Sequence, residues 1–198
     1  GREAAVRRRL RTRLAELEMI ESGTTTFADM DYFEDDIAVA TREAGMLAVL
    51  GQSIIKFPVR DAATPEEALA LAEAFIARWH TDPLITPAVA PHAPTTVEPG
   101  TLKAARALAN KYNVPLLIHL AETREEVKAV QDAHHATPAQ SSRTHDGTAK
   151  PAGALAIPRT RLMRILTVPQ VAHLREHRRP PRRQQRPVAA VAHTLAII

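Results

Sequence analysis

The chain has 198 residues, enough for one domain with a sizeable hydrophobic core. It contains no cysteine, which excludes disulfides and thiolate metal sites and fits the reducing cytoplasm where we expect the protein to act. No apolar run approaches the roughly 20 residues that span a bilayer, so no membrane association is predicted. The arginines near the N-terminus are not followed by the apolar segment of a secretory signal.

The net charge of +4 is the sum of an acidic first part of the chain and a basic second part. Residues 1–133 carry 15 Lys and Arg against 20 Asp and Glu, whereas residues 134–198 carry 11 against two. The second part also holds six of the nine histidines and seven of the 15 prolines. Such a shift in composition predicts a boundary near residue 134, between an acidic domain (1–133) and a basic tail rich in Pro and Arg (134–198).

The spacing of apolar residues predicts four units after a first helix, each a strand followed by a helix. We expect strands at 24–30, 46–50, 85–90 and 114–120, and helices at 3–21, 33–44, 64–79, 99–112 and 123–133. Strands that are almost continuously apolar and alternate with helices indicate an α/β fold with a parallel sheet. A doubly wound sheet is the alternative to a β/α barrel, but no Gly-rich phosphate loop follows any predicted strand.

Two of the predicted helices begin with a capping box, in which a Thr side chain and a Glu three residues later satisfy the free amides of the first turn. Thr64 and Glu67 form one such pair, and Pro65 stands at the first helical position, where its missing N–H costs nothing. Thr123 and Glu126 form the other. These helix starts are therefore the best-marked boundaries in the sequence.

Polar side chains follow the end of each predicted strand. In a β/α barrel the carboxyl ends of the strands meet at one face, where the chemistry takes place. The polar side chains at the strand ends are Asp29 and Asp31, Gln52 and Ser53, His92, and His119 with Glu122. We expect the two histidines and the glutamate to converge on one pocket.

Each of the strongest candidates has a structural alternative. His119 ends an apolar strand, where an imidazole is either a metal ligand or a core histidine bonded to a carbonyl. Glu122 is either a proton carrier or an acid that a helix N-terminus favours. His92, between Pro91 and Pro94, either faces a cavity or lies on a surface loop.

Three further polar residues favour structural roles. Asp29 and Asp31 flank a predicted helix start, where acids are usually caps or solvated residues. His80 follows the predicted helix 64–79 and is expected at its C-terminal end, which the helix dipole makes favourable for an imidazole.

Three motifs together resemble the amidohydrolase superfamily, in particular its S-adenosylhomocysteine/5-methylthioadenosine deaminases and triazine chlorohydrolases. They are Ser22 to Met30 (SGTTTFADM), Pro87 to Pro94 (PAVAPHAP) and Ile118 to Thr123 (IHLAET), and they stand in the family's order and spacing. The resemblance covers about residues 15–133. Because three separate motifs agree, the resemblance is specific.

The resemblance implies a metal-dependent (β/α)8 barrel with zinc, or alternatively iron, and a small-molecule substrate. It implies that His119 is a metal ligand, that His92 contacts substrate, and that Glu122 binds substrate and handles protons on its ring nitrogen. The implied reaction is hydrolytic deamination of an adenosine-type or other N-heterocyclic substrate. Dechlorination of a triazine is the alternative, because it is the same attack on a ring carbon with another leaving group.

The sequence also departs from the family pattern. The family's His-x-His pair on the first barrel strand should precede residue 1 and is absent, and no motif matching the later histidine and aspartate is visible after residue 133. We therefore expect a partial barrel of about four strand–helix units with an incomplete metal site, inactive by itself. Its open strand edges would favour homo-oligomerisation or aggregation.

The tail, residues 134–198, has a separate interpretation. Its basic run Arg178 to Arg183 allows a non-enzymatic binding function, but the tail contains no aromatic residue for base stacking, so nucleic acid is not the expected partner. We expect an irregular segment. Our hypothesis is an out-of-frame segment of a GC-rich gene, since the family pattern stops near Pro138.

Overall fold

The computed structural model describes residues 2–145 and 195–197, in which helices and strands alternate as expected as far as residue 134. The helices are α1 (Arg2–Glu21), α2 (Glu34–Ala44), α3 (Pro65–Trp79), α4 (Pro99–Tyr112), α5 (Arg124–His134) and α6 (Pro138–His145). The strands are β1 (Thr26–Asp29), β2 (Leu47–Ile54), β3 (Ile85–Pro91), β4 (Leu117–His119) and β5 (Leu195–Ile197). Each predicted element of residues 3–133 is found, with bounds that differ by a few residues.

Strands β1, β2 and β3 form a parallel sheet in that order. Asp29, the last residue of β1, lies opposite Leu50, and Pro91, the last residue of β3, lies opposite Ile54. The carboxyl ends of the three strands therefore lie at the same edge of the sheet, as the alternation of strands and helices predicted. The predicted α/β class with a parallel sheet is confirmed.

The fourth strand departs from the expected parallel sheet. β4 lies parallel to β3 only through a bridge between Val89 and Leu116, and its other side pairs antiparallel with β5. The ladder is interrupted because β3 ends at Pro91, which has no N–H to donate. The expected open edge at β4 was thus wrong, since β5 occupies it.

The core lies on both faces of the sheet. One face packs against helices through large side chains such as Phe27, Leu50 and Trp79, all buried. The other face carries small residues. Gly51 is one of them, and a larger residue would not fit there, because a Cβ added at Gly51 would lie only 2.8 Å from the Ala90 Cβ. Strands covered on both faces explain the continuous apolar runs of the sequence.

Helix α1 turns its apolar stripe away from the protein. The buried residues Thr12, Glu16 and Met19 face the core, and the Thr41 hydroxyl donates a hydrogen bond of 2.5 Å to Glu16 Oε1. The opposite face exposes between 48% and 65% of each apolar residue: Val6, Leu10, Leu14, Leu17 and Ile20. The predicted helix is confirmed, but the apolar residues whose regular spacing predicted it lie on its exposed face.

The predicted boundary near residue 134 falls where α5 ends, at His134. Helix α6 follows, and Ser141 within it is buried. The basic run from Arg178 to Arg183 lies outside the described residues. In the part of the chain that the structure describes, no helix is long and apolar enough to cross a membrane.

Candidate active site

Backbone hydrogen bonds bring His92 and His119 together just past the strand ends. The His92 amide donates to the Ile54 carbonyl (3.0 Å), and the His119 amide donates to the His92 carbonyl (2.9 Å). The two imidazoles meet edge to face, with ring centroids 5.2 Å apart and planes inclined by 80°. The expected convergence of these two histidines is therefore confirmed geometrically.

The imidazole of His92 is held by a neighbouring hydroxyl. Its Nδ1 lies 2.8 Å from Thr96 Oγ1, which in turn donates to the Ala93 carbonyl (3.3 Å). Burial lowers the pKa of His92, against an opposing effect of the Glu122 and Glu126 carboxylates. His92 is consequently a neutral imidazole at neutral pH. Because the Thr96 proton goes to the Ala93 carbonyl, Nδ1–H donates to Thr96 and the other ring nitrogen is left to accept a hydrogen bond.

Glu122 follows β4 on a tight turn. Ala121 adopts φ 56°, a left-handed conformation that costs an L-residue about 1 kcal/mol. The Glu126 carboxylate accepts the amides of Ala121 (3.1 Å) and Glu122 (2.8 Å), and the Thr123 hydroxyl accepts the Glu126 amide (3.0 Å). The Thr123 half of the predicted capping box is confirmed, while the Glu126 carboxylate holds the two residues before Thr123 and so fixes the backbone that carries Glu122.

A second group of carboxyls lies at the ends of β1 and β2. Asp29 is 6% exposed and Glu34 is 1% exposed, and the Glu34 carboxylate accepts the Asp31 amide (2.7 Å). The Asp61 carboxylate accepts the Phe33 amide (2.7 Å) and the Gln52 side-chain amide (2.9 Å). These contacts tie the loops after β1 and β2 together.

Burial and the neighbouring Asp31 carboxylate raise the pKa of Asp29 to about 7. Burial and the nearby Asp29 raise the pKa of Glu34 well above its ordinary value. The expectation that Asp29 is a cap or solvated residue was wrong, because it is the buried last residue of β1. Asp31 is exposed and accepts the Tyr32 amide (2.8 Å). His80 ends α3, as expected.

A cavity of about 490 Å³ lies between α1 and the loop after β1. Its lining includes two acidic residues and four arginines: Ala4, Arg7, Arg8, Arg11, Thr12, Asp29, Asp31, Tyr32, Phe33, Ile37 and Arg60. Its lining does not include His92, His119 or Glu122. The cavity and the histidine pair are thus separate features.

The described residues do not complete a zinc site. His119 has the imidazole nitrogen that zinc prefers, but a catalytic zinc needs about three protein ligands. Among residues 2–145 and 195–197, no group of three or more His, Asp or Glu side chains is placed to hold a metal ion. His119 therefore offers one ligand here, without the partners that a bound ion requires.

Sequence reasoning missed two residues of this site. Thr96 gave no signal, because a hydroxyl four residues after His92 in a loop has no characteristic pattern. Glu126 was recognised as a cap of α5, yet its reach to Ala121 and Glu122 depends on the positive φ at Ala121, which sequence does not indicate.

The chain matches the model of the Amidohydrolase family over residues 9–177. This span covers most of the sequence, so the chain belongs to the Amidohydrolase family. The match continues past residue 134 into the predicted tail.

Similar curated proteins are deaminases. The chain is 42% identical over 124 residues to the 5-methylthioadenosine/S-adenosylhomocysteine deaminase of Aquifex aeolicus, covering 63% of this chain and 29% of that protein. It is 48% identical over 119 residues to the enzyme of the same name from Syntrophobacter fumaroxidans, covering 60% and 27%. The chain therefore spans less than a third of the length of these relatives.

Solved structures agree with this placement. An adenosine deaminase from Xanthomonas campestris with bound zinc aligns with a TM-score of 0.65 at 34% identity, over 68% of this chain and 30% of that one. A zinc complex of atrazine chlorohydrolase from Arthrobacter aurescens aligns with a TM-score of 0.56 over 68% and 35%. At 18% identity, the second likeness shows the fold alone.

Proposed function

We propose that this chain is part of a metal-dependent amidohydrolase that deaminates an adenosine-type nucleoside. The observation that carries the proposal is the pair of histidines, His92 and His119, in ring contact beside the turn that bears Glu122. The deaminase names of relatives that are 42% and 48% identical support the substrate class. We further propose that the four strand–helix units are part of a (β/α)8 barrel.

Each of the three residues has a proposed role. His119 contributes one ligand to a divalent ion, zinc in our proposal, whose other ligands come from outside the described residues. His92, neutral and held by Thr96, accepts a hydrogen bond from the substrate at its other ring nitrogen. Glu122, half-buried on the turn beside the histidines, binds the substrate at a ring nitrogen and moves the proton there.

The proposal is tested with a full-length chimera in which residues 15–133 of this chain replace the aligned segment of the Syntrophobacter fumaroxidans relative. The purified chimera is offered 5'-deoxyadenosine, S-adenosylhomocysteine, guanine and a chlorotriazine. Conversion is followed by the absorbance change from amino- to oxopurine and by chloride release. We expect turnover of the adenosine derivatives at a rate within about tenfold of the parent enzyme.

Two results would contradict the proposal. One is a folded chimera with a full metal content that leaves every adenosine derivative intact. The other is release of chloride from the triazine without deamination, which would assign the chlorohydrolase function instead. The unmodified parent enzyme is the matched control for metal loading and assay conditions.

We also propose that the chain self-associates through the exposed stripe of α1, in an antiparallel pairing with a second copy. Arginines concentrate in the first 13 residues of the chain, while Glu18 and Glu21 lie near the other end of the helix. An antiparallel partner places basic residues beside acidic ones and covers the stripe, which leaves Leu10 65% exposed in a single copy. Burial of the apolar stripe is what favours this arrangement, because Arg7, Arg8, Arg9 and Arg13 already form ion pairs within the chain.

Replacing Leu10 and Leu14 with Gln is expected to weaken self-association by at least about tenfold, because it removes two apolar side chains from the centre of the contact. Sedimentation velocity over a range of concentrations measures the effect. Leu71→Gln, on the exposed part of α3, is the matched control and should leave the distribution unchanged. A monomeric wild-type chain, or an oligomer that the double variant leaves intact, contradicts the proposal.

A further inference from the structure

The capping arrangement of α5 reaches back beyond the helix. In an ordinary capping box the glutamate accepts the amide of the N-cap residue, which here is Thr123. Glu126 instead accepts the amides of Ala121 and Glu122, the two residues before it. Both oxygens of this buried carboxylate, 8% exposed, are used in this way. The helix start is therefore fastened to the turn that carries the candidate catalytic glutamate.

Helix α3 provides an internal comparison. It begins with the same pair, Thr64 and Glu67, and the Thr64 hydroxyl accepts the Glu67 amide (3.2 Å). The Glu67 carboxylate accepts one preceding amide, that of Ala63 (2.7 Å), and the residue is exposed. The same local sequence thus caps both helices, but only at α5 does the carboxylate hold two successive amides and a left-handed residue.

We propose that Glu126 is a positioning residue for Glu122, a role that rests on the function proposed for Glu122. Two charge-assisted hydrogen bonds draw successive amides toward one carboxylate, which holds Ala121 at positive φ. Because the φ angle of Ala121 is fixed, the Glu122 side chain leaves the backbone in a fixed direction relative to His119, which lies three residues earlier. Glu126 itself points into its own helix start and need not touch substrate.

A carboxylate suits this role better than an amide. Each oxygen of Glu126 accepts one backbone N–H, whereas glutamine at this position offers one oxygen and would direct its NH₂ group at the second donor. Glu126→Gln should therefore keep one hydrogen bond and lose the other. Alanine should lose both, leaving Ala121 free to return to a common conformation.

The first test measures backbone amide exchange in the full chain. In Glu126→Ala, exchange at Ala121 and Glu122 is expected to accelerate by about tenfold or more, with a smaller change in Glu126→Gln. Glu67→Ala is the matched control, since it removes the equivalent cap of α3 and should leave those two amides unchanged. Unchanged exchange in Glu126→Ala, or an equal change in Glu67→Ala, would overturn the proposal.

The second test separates positioning from general stability, using the full-length chimera. Glu126→Ala is expected to lower kcat about tenfold at unchanged KM, Glu126→Gln to recover part of it, and Glu67→Ala to lower only the melting temperature. Faster exchange with an unchanged kcat would overturn the link to catalysis. If the wild-type chimera lacks activity, the proposed function fails, while the exchange measurement still decides whether Glu126 holds the turn.

Discussion

Glu122→Gln in the full-length chimera is expected to lower kcat by about 100-fold or more while the metal content stays the same. Glutamine keeps the size of the side chain and a hydrogen bond to a substrate nitrogen, but it cannot carry a proton. Steady-state kinetics together with metal analysis measure both quantities. Glu125→Gln is the matched control, because Glu125 is exposed and adjacent to the turn on α5, and it should leave kcat unchanged.

His119→Ala is expected to lose a different set of properties from Glu122→Gln. Loss of an imidazole ligand removes metal and activity together, whereas loss of a proton carrier removes activity alone. Normal turnover in Glu122→Gln would make the carboxylate a structural feature of the α5 start. Full metal retention in His119→Ala would remove His119 from the proposed ligand set.

The free energy of unfolding is expected to decrease as pH rises from about 4 to about 7, because of the buried carboxyl of Asp29. Its pKa is about 7 in the folded chain against an ordinary value of 3.8, so the folded state holds the proton more tightly than the unfolded one. The resulting stability is fully present below the unfolded pKa and is lost as pH rises through the folded pKa. Its size is about 2 to 4 kcal/mol.

Urea denaturation of the full chain at several pH values measures this effect. Asp29→Asn mimics the protonated form and should lose the part of the pH dependence that Asp29 contributes, with the part due to buried Glu34 remaining, so that it gains stability relative to the wild type at pH above 7. Asp132→Asn, an exposed acid paired with Lys128 on α5, is the control and should follow the wild-type curve. A wild-type curve that rises steadily with pH and a matching Asp29→Asn curve would rule out a protonated Asp29.

Sequence could predict the elements whose signals are local. The start of α3 was predicted because an N-cap Thr64, Pro65 and Glu67 act within one turn, and the structure has that hydrogen bond. The positions of His92 and His119 followed from the rule that parallel strands end at one edge. These predictions depend on spacing along the chain, which sequence contains directly.

Features set by tertiary packing could not be predicted in the same way. The apolar spacing of α1, including Leu10, predicted a helix but not which face packs, and the polar face with Glu16 is the one that lies on α2. Asp29 carries no sequence mark that separates a buried strand end from a cap. β4 is short because Pro91 lies beside it where a backbone N–H would be needed. Which residue of one strand lies beside which residue of the next is not indicated by the apolar pattern of either strand.

Zinc content per chain, measured in the isolated 198-residue protein and in the chimera after the same dialysis, tests the central claim most directly. The claim is that these residues supply His119 as one ligand of a site whose other ligands come from outside the described residues. We expect roughly one zinc ion per chimera and less than about a tenth of that in the isolated chain. A full zinc ion in the isolated chain, together with deamination of 5'-deoxyadenosine, would contradict the account.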